Sequence, residues 1–173
     1  RELDPLAPTG IFSGRIYVDI HQPDAAIRVL KEQVELEPRL DVAHQFLALA
    51  YLQKGMPDEA IASMKRAAAL SGPRDLAQLA YVYARTGDPA EARRILDGLR
   101  EGGRALDPLG FHLAMAYAAL GDRDEAFRWL EAAYRERGGY MNLLGVATGF
   151  ESLRSDPRFD DLLGRMGLRR DSG

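Results

Sequence analysis

The sequence predicts an all-α protein, a right-handed superhelical solenoid of about four antiparallel helix hairpins with a C-terminal capping helix. The first observation is a set of four alanines 34, 32 and 34 residues apart, at Ala26, Ala60, Ala92 and Ala126. The second is that each lies in a similar amphipathic stretch, DAAIRVL, DEAIASM, AEARRIL or DEAFRWL, just after a turn. Because a fixed period in the mid-thirties is typical of helical-hairpin arrays, the four copies predict the architecture.

The composition fits one globular domain of moderate size. The chain has 173 residues, of which 46% are apolar, enough to bury a substantial core. Its net charge of −3 argues against a general nucleic-acid or membrane-surface binder. No apolar run approaches the ~18 residues that would span a bilayer. Cysteine is absent, which excludes thiol catalysis, disulfides and cysteine metal sites.

The second copy shows how one hairpin is predicted. Apolar residues at helical spacing indicate a first helix over about 41–53 and a second over about 57–70. Gly55 suits the left-handed position that ends the first helix, and Pro57 suits the first turn of the second. A helix–turn–helix unit follows from these signals.

The third and fourth copies follow the same rules. Their helices are predicted over about 74–86, 89–100, 108–120 and 123–137. Gly87 and Gly121 supply the turns. Asp88 and Asp122 are predicted N-caps, because a carboxylate accepts hydrogen bonds from the backbone N–H groups that begin a helix.

The first copy is less regular. Its opening helix is predicted over about 8–20, and its partner begins at Pro23 and ends at Pro38. Gly14 lies 34 residues before Ala48, so it is predicted to be the small residue at the point where the two helices cross.

The pattern changes after the fourth copy. Gly138-Gly139 breaks the helix, and Tyr140–Val146 is predicted to form one short helix. A last helix follows, with Asp156 as its cap and Pro157 at its first position. It carries an apolar stripe of Phe159, Leu162, Leu163 and Met166. One amphipathic helix without a partner at the end of an array is typical of a capping element.

These predictions give an organisation in four parts. They are a remnant of a preceding repeat helix at 1–6, four hairpins over 7–137, a capping segment over 138–168 and a frayed tail at 169–173. Glu101–Arg104, with two glycines, is predicted to be a flexible joint. Since the chain begins with Arg1 and RELDP resembles the end of a helix, we expect a fragment of a longer polypeptide.

The repeated residues resemble a known family. The small residues Gly14, Ala48, Ala80 and Ala114 are each followed three positions later by Tyr17, Tyr51, Tyr83 and Tyr117. An alanine follows each small residue after twelve positions. This pattern resembles the tetratricopeptide repeat, in four copies over about 7–140. The first copy has Asp19-Ile20-His21 where the turn glycine would lie, which predicts a distorted hairpin.

The last part of the chain carries a narrower resemblance. The segment LRSDPRF, which begins at Leu153, is similar to the tail of bacterial multidomain proteins. In those proteins such repeats follow a serine/threonine kinase, a nucleotide cyclase or a winged-helix domain. The resemblance implies the C-terminal sensory or scaffold part of a cytoplasmic signalling protein.

The family resemblance also implies a binding surface. In tetratricopeptide repeats the first helix of each hairpin lines a concave groove that binds a protein or peptide segment. The positions carried over to this chain are Ile11, Arg15, Gln45, Leu49, Leu52, Arg74, Tyr81, Arg85, Phe111 and Met115. This surface is mostly apolar with arginine at its rim, which suits an amphipathic helix or extended segment bearing an acidic residue.

One subgroup of the family binds C-terminal carboxylates through a clamp of lysine and asparagine. The corresponding positions here are Ile11, Arg15, Phe46, Arg74 and Gln78. Only the two arginines suit that role, so the clamp is predicted to be absent. An alternative is that neighbouring repeats or a dimer mate cover the apolar residues, and that the arginines are solvated or paired with nearby carboxylates.

The sequence offers no grouping for catalysis, and we predict no catalytic residue, metal or cofactor. His21, His44 and His112 lack the spacing of metal ligands, and no phosphate loop or nucleophile elbow occurs. We therefore predict a non-catalytic scaffold that binds a protein or peptide segment, without nucleic-acid or membrane contacts. The alternative is a self-associating, homodimeric or ligand-sensing regulatory domain that controls an N-terminal effector; an enzyme is the third hypothesis.

Overall fold

A computed structural model describes residues 7–101 and 109–168. Within these residues the chain forms helices and turns and no strand, so the predicted all-α class is confirmed. The helices are α1 Ala7–Asp19, α2 Pro23–Leu36, α3 Asp41–Lys54, α4 Pro57–Ser71, α5 Pro73–Arg85, α6 Pro89–Glu101, α7 Gly110–Ala119, α8 Arg123–Arg135 and α9 Pro157–Arg165. Two short 3₁₀ turns, Met141–Leu143 and Glu151–Leu153, lie between α8 and α9.

The helices pack in the order of the chain, as in a solenoid of hairpins. α1 packs on α2, α3 on α4, α5 on α6 and α7 on α8, and each first helix also contacts the next first helix. The four repeat alanines that the sequence singled out are fully buried between helices. Four positions further on, the buried side chains are Leu30, Met64, Leu96 and Leu130. Each such side chain stabilises the fold by about 2–3 kcal/mol relative to exposure.

Three aspartates cap the N-termini of helices, as the sequence predicts. Asp88 accepts a hydrogen bond from the backbone N–H of Glu91 at 3.0 Å, and Asp122 accepts one from Glu125 at 3.3 Å. Asp156 accepts one from Arg158 at 3.0 Å at the start of α9. These predicted N-caps are therefore confirmed, and they satisfy N–H groups that have no partner within the helix.

The first turn has the geometry of the others, so the expected distortion is wrong. His21 adopts φ of 56°, in the left-handed region that Gly55, Gly87 and Gly121 occupy in the later hairpins. The backbone N–H of Gln22 donates to the carbonyl of Tyr17 at 2.8 Å. The equivalent bonds to the carbonyls of Tyr51, Tyr83 and Tyr117 close the later turns at 3.0, 3.0 and 2.9 Å. Histidine visits this region more readily than most residues, which permits the shared turn.

Gly14 is a close-approach residue, as predicted. A Cβ atom there would lie 2.5 Å from Cδ2 of Leu30 on α2. Because carbon atoms do not approach so closely, a larger residue at this position would push α1 away from α2.

The segment after α8 is less helical than the sequence predicts. In place of a helix over Tyr140–Val146, only Met141–Leu143 forms a 3₁₀ turn. Three hydrogen bonds then join residues 34 positions apart, which is the step of the array. Ser152 donates to the carbonyl of Ala118, Arg158 donates to Asp124, and Arg165 donates to Glu131. α9 thus lies beside α8 as the second helix of a fifth hairpin would, and the irregular stretch Tyr140–Leu153 replaces its first helix.

Several predicted features lie outside the described residues. They are the helix remnant at 1–6, the glycines of the Glu101–Arg104 joint, the start of the fourth hairpin near Pro108 and the tail at 169–173.

Candidate functional site

A cavity of about 570 Å³ lies on the concave side, between the first helices of the hairpins and the segment that follows α8. α1 and its turn contribute Arg15, Val18, Asp19 and His21, and α3 contributes Asp41, Val42, Gln45, Phe46 and Leu49. α5 contributes Arg74 and Gln78, α7 contributes Phe111, His112 and Met115, and the last segment contributes Tyr140, Leu143, Val146, Ala147 and Thr148. The volume is typical of ligand sites in proteins, which span roughly 300–1,000 Å³.

The sequence-predicted groove residues divide into two sets. Arg15, Gln45, Leu49, Arg74, Phe111 and Met115 line the cavity together. Ile11, Leu52, Tyr81 and Arg85 do not line it. Ile11 and Leu52 are half-buried, Tyr81 is buried, and Arg85 is exposed with its guanidinium donating to the Tyr81 hydroxyl at 3.0 Å. The cavity therefore occupies only part of the predicted groove.

The stretch Tyr140–Leu153 packs over Phe111 and Tyr81. The ring of Phe111 stacks on Tyr140 at 6.0 Å and meets the edge of the buried Phe150 at 5.2 Å. Gly149 lies over Tyr81, where a Cβ would be 3.2 Å from the ring. These contacts make the stretch a wall of the cavity. Sequence reasoning placed it at the end of the array, because nothing in its spacing shows that it turns inward.

The arginines of the cavity already have carboxylate partners. Arg15 lies 3.6 Å from Asp19 on the same helix. Arg74 donates from Nε to Asp75 at 2.8 Å and from Nη2 to Asp41 at 3.1 Å. The bond to Asp75 is the main cause of a raised Arg74 pKa. Arg15 and Arg74 are therefore paired with nearby carboxylates, which is one of the alternatives that the sequence left open.

A model of the tetratricopeptide repeat family matches residues 14–145, which is more than half of the chain. The chain belongs to the tetratricopeptide repeat family. Tetratricopeptide repeats generally mediate protein–protein interaction and are typically non-catalytic, which is consistent with a scaffold role. A comparison with curated proteins gave no match. None of the described helices has the length and apolar character needed to cross a membrane.

The polar floor of the cavity comes from one position of the tetratricopeptide repeat. Gln78 and His112 each lie two residues before the small crossing residue, at the position that Phe46 occupies in the second repeat. Both are buried, with 6% and 5% of their surface exposed, and both line the cavity. Sequence reasoning gave His112 no binding role. Its repeat position, shared with the clamp candidates Phe46 and Gln78, was the available signal.

His112 is an uncharged group at neutral pH. Burial, with a smaller contribution from the Arg74 guanidinium, lowers the pKa of His112 from 6.5 to about 4. Its ring meets the edge of Tyr140 at 4.7 Å, and its Nδ1 atom has no hydrogen-bond partner among the described residues. A buried ring nitrogen without a partner is unfavourable in the folded protein.

The cavity has the chemistry of a binding site. No cluster of three or more metal-ligating side chains occurs in the described ranges. The walls are apolar and aromatic, the floor carries an amide and an imidazole, and the charged groups lie in pairs at the rim. Such an arrangement recognises a ligand by shape, apolar contact and a few directed hydrogen bonds.

Proposed function

We propose that this tetratricopeptide repeat domain is a non-catalytic scaffold that binds a segment of a partner protein in its concave cavity. The observation that carries the proposal is an apolar wall on each side of the cavity. Val42, Phe46 and Leu49 stand on α3, and Leu143 and Val146 stand on the opposite segment. An extended or helical peptide uses such a groove by inserting apolar side chains at regular spacing.

Both walls are anchored in the fold. α3 packs against α1, α2, α4 and α5, and the opposite segment is anchored by the fully buried Leu144 and Phe150. A preformed groove loses little conformational entropy on binding, which favours affinity from a modest contact area.

Binding of selected peptides tests this proposal. Random peptides displayed on phage are selected on the wild-type chain, and the best binder is labelled for fluorescence anisotropy. Leu49→Glu places a charge on the cavity wall, so the dissociation constant is expected to rise by at least about tenfold, or 1.4 kcal/mol. Leu70→Glu is the matched control, because Leu70 lies on α4 and does not line the cavity. Equal binding by Leu49→Glu and Leu70→Glu would contradict the proposal.

We further propose that the domain is the C-terminal part of a larger bacterial signalling or regulatory protein that acts in the cytoplasm. The resemblance of the segment from Leu153 supports this context, with residues 138–168 as the capping segment. The gene tests it. An open reading frame that joins this region to a kinase, cyclase or winged-helix domain would support the proposal, and a frame that joins it to none of these would contradict it.

Self-association is a second candidate, and one observation favours it. Phe12 and Ile16 on α1 and Ile20 just after its end form an apolar stripe, and these residues are 68, 56 and 53% exposed. Two copies related by a twofold axis would pair Phe12 of each with Ile20 of the other. Light scattering is expected to show a dimer that Ile16→Lys converts to a monomer. A wild-type chain that stays monomeric at high concentration would contradict this candidate.

A further inference from the structure

We infer that the cavity holds its peptide in an extended form, with Gln78 and His112 hydrogen-bonded to the peptide backbone at units about three residues apart. This inference rests on the proposed function, which leaves open whether the bound segment is extended or helical. It names the conformation of that segment and the two side chains that recognise it.

The charged side chains that line the cavity are already paired. Arg15 lies 3.6 Å from Asp19, and Arg74 donates to Asp41 at 3.1 Å. Each arginine has an aspartate beside it, so the pairs favour neither an acidic nor a basic segment. The N–H groups that Arg74 has left can donate to a carbonyl oxygen as well as to a carboxylate. Recognition of the segment therefore depends mainly on the uncharged groups of the cavity.

Gln78 and His112 place two uncharged polar groups in the floor of the cavity. They lie on the neighbouring helices α5 and α7, at the same position of their repeats, and both are more than nine-tenths buried. The Gln78 amide can donate and accept at once. The His112 ring can offer only Nε2 to a ligand, because Nδ1 is enclosed without a partner among the described residues. A ligand that displaces water from these groups must replace the hydrogen bonds, since an unpaired buried polar group is unfavourable.

An extended backbone can supply these hydrogen bonds, and a helical backbone cannot. In an α-helix the backbone N–H and C=O groups bond to one another, so a bound helix would bring only side chains to the floor. An extended segment keeps both groups available at each residue. The Gln78 amide contains the same donor and acceptor as a peptide unit, so it can bond to the backbone whatever side chains the segment carries.

The separation of the two helices sets the spacing of the contacts. Packed helices lie ~8–10 Å apart between their axes, and α5 packs directly on α7. An extended chain advances ~3.3 Å per residue, so it crosses from one helix to the next in about three residues. The apolar side chains of the same segment can then meet Phe46, Leu49 and Val146 on the walls.

Ester substitutions in a selected peptide test the inference. The best phage-selected peptide is synthesised as a series in which one amide at a time becomes an ester, which removes one N–H donor and weakens one carbonyl as an acceptor. Esters at two units about three residues apart are expected to raise the dissociation constant for wild type by about fivefold each. Esters at the other units are expected to have smaller effects.

Matched variants assign each ester to its side chain. Gln78→Met keeps the length of the side chain and removes the amide, and His112→Phe keeps an aromatic ring and removes its nitrogens. Each variant is expected to reduce the effect of one of the two esters to less than about twofold. Gln33→Met is the control that keeps both effects, because Gln33 is also buried but does not line the cavity. Circular dichroism checks the fold, and either variant decides the test if the other unfolds.

Two outcomes contradict the inference in different ways. If every ester has the same effect on wild type, Gln78→Met and His112→Phe, these side chains do not bind the backbone, and the inference is overturned. The proposed function would still stand if Leu49→Glu abolishes binding of the same peptide. A selection that yields no Leu49-sensitive peptide would contradict both the inference and the proposed function.

Discussion

At the scale of single residues, two histidines show opposite uses of the same side chain. His21 is exposed and holds a left-handed turn that glycine holds in the other three hairpins. His112 is buried in the cavity floor and is uncharged at neutral pH. The sequence displays both as isolated histidines. Their roles differ because one is set by backbone conformation and the other by the surrounding dielectric.

Replacing His21 by glycine is expected to stabilise the protein by ~1 kcal/mol, because a side chain in the left-handed region is strained and glycine is not. Urea unfolding followed by circular dichroism measures the change. Gly87→His is the reciprocal control and is expected to lose a similar amount. A His21→Gly variant less stable than wild type would show that the imidazole itself stabilises the first turn.

The buried His112 is expected to make stability depend on pH. Its pKa is about 4 in the folded chain and about 6.5 when unfolded, so between these values only the unfolded state takes up the proton. The free energy of unfolding therefore rises as pH increases from 4 to 6.5. Lowering the pH from 7 to 5 is therefore expected to reduce the free energy of unfolding by on the order of 2 kcal/mol through this group.

Urea titrations of wild type and His112→Phe at pH 5 and pH 7 measure that contribution. The groups around His112 are Arg74 and Asp75 on α5 and the Tyr140 ring, and they are unchanged in the variant. The wild type is expected to lose about 2 kcal/mol more than His112→Phe on acidification. Equal losses in the two proteins would show that His112 does not remain uncharged in the folded chain.

At the scale of elements, the helices follow from local signals and the stretch Tyr140–Leu153 does not. Apolar spacing, turn glycines and N-caps define α3 and α6 to within one or two residues of the sequence prediction. The stretch has no helical period, and its path is set by contacts with distant residues, such as Phe150 against Phe111. Tyr81 was expected to line the open groove, but the stretch buries it.

Gly149 allows the stretch to approach α5 and α7 closely. It has φ of 107°, and a Cβ would lie 3.0 Å from Cε of Met115. Gly149→Ala is expected to destabilise the protein by about 1–3 kcal/mol through strain and overpacking, with faster proteolysis between α8 and α9. Gly139→Ala is the control, because a Cβ there meets nothing within 4 Å. Equal stability of the two variants would mean that the stretch is not held against α5 and α7 as described.

At the scale of the whole molecule, the period of the array predicted the solenoid but not the shape of its concave side. The first helices were expected to form one continuous groove. The segment after α8 keeps the 34-residue step of the repeats and turns its irregular part inward, which leaves a bounded cavity. The pairing of Arg74 with Asp41, 33 residues away, depends on this packing and has no signature in the local sequence.

The most direct test of the central claim is where a selected peptide binds. A peptide from the wild-type selection is given a photoreactive benzophenone at its apolar anchor, irradiated with the full chain and mapped by mass spectrometry. Adducts are expected within residues 42–49 of α3 and residues 143–148 of the opposite wall, with none on α4 or α6. Adducts on α4, on α6 or on the exposed stripe of α1 would contradict the account.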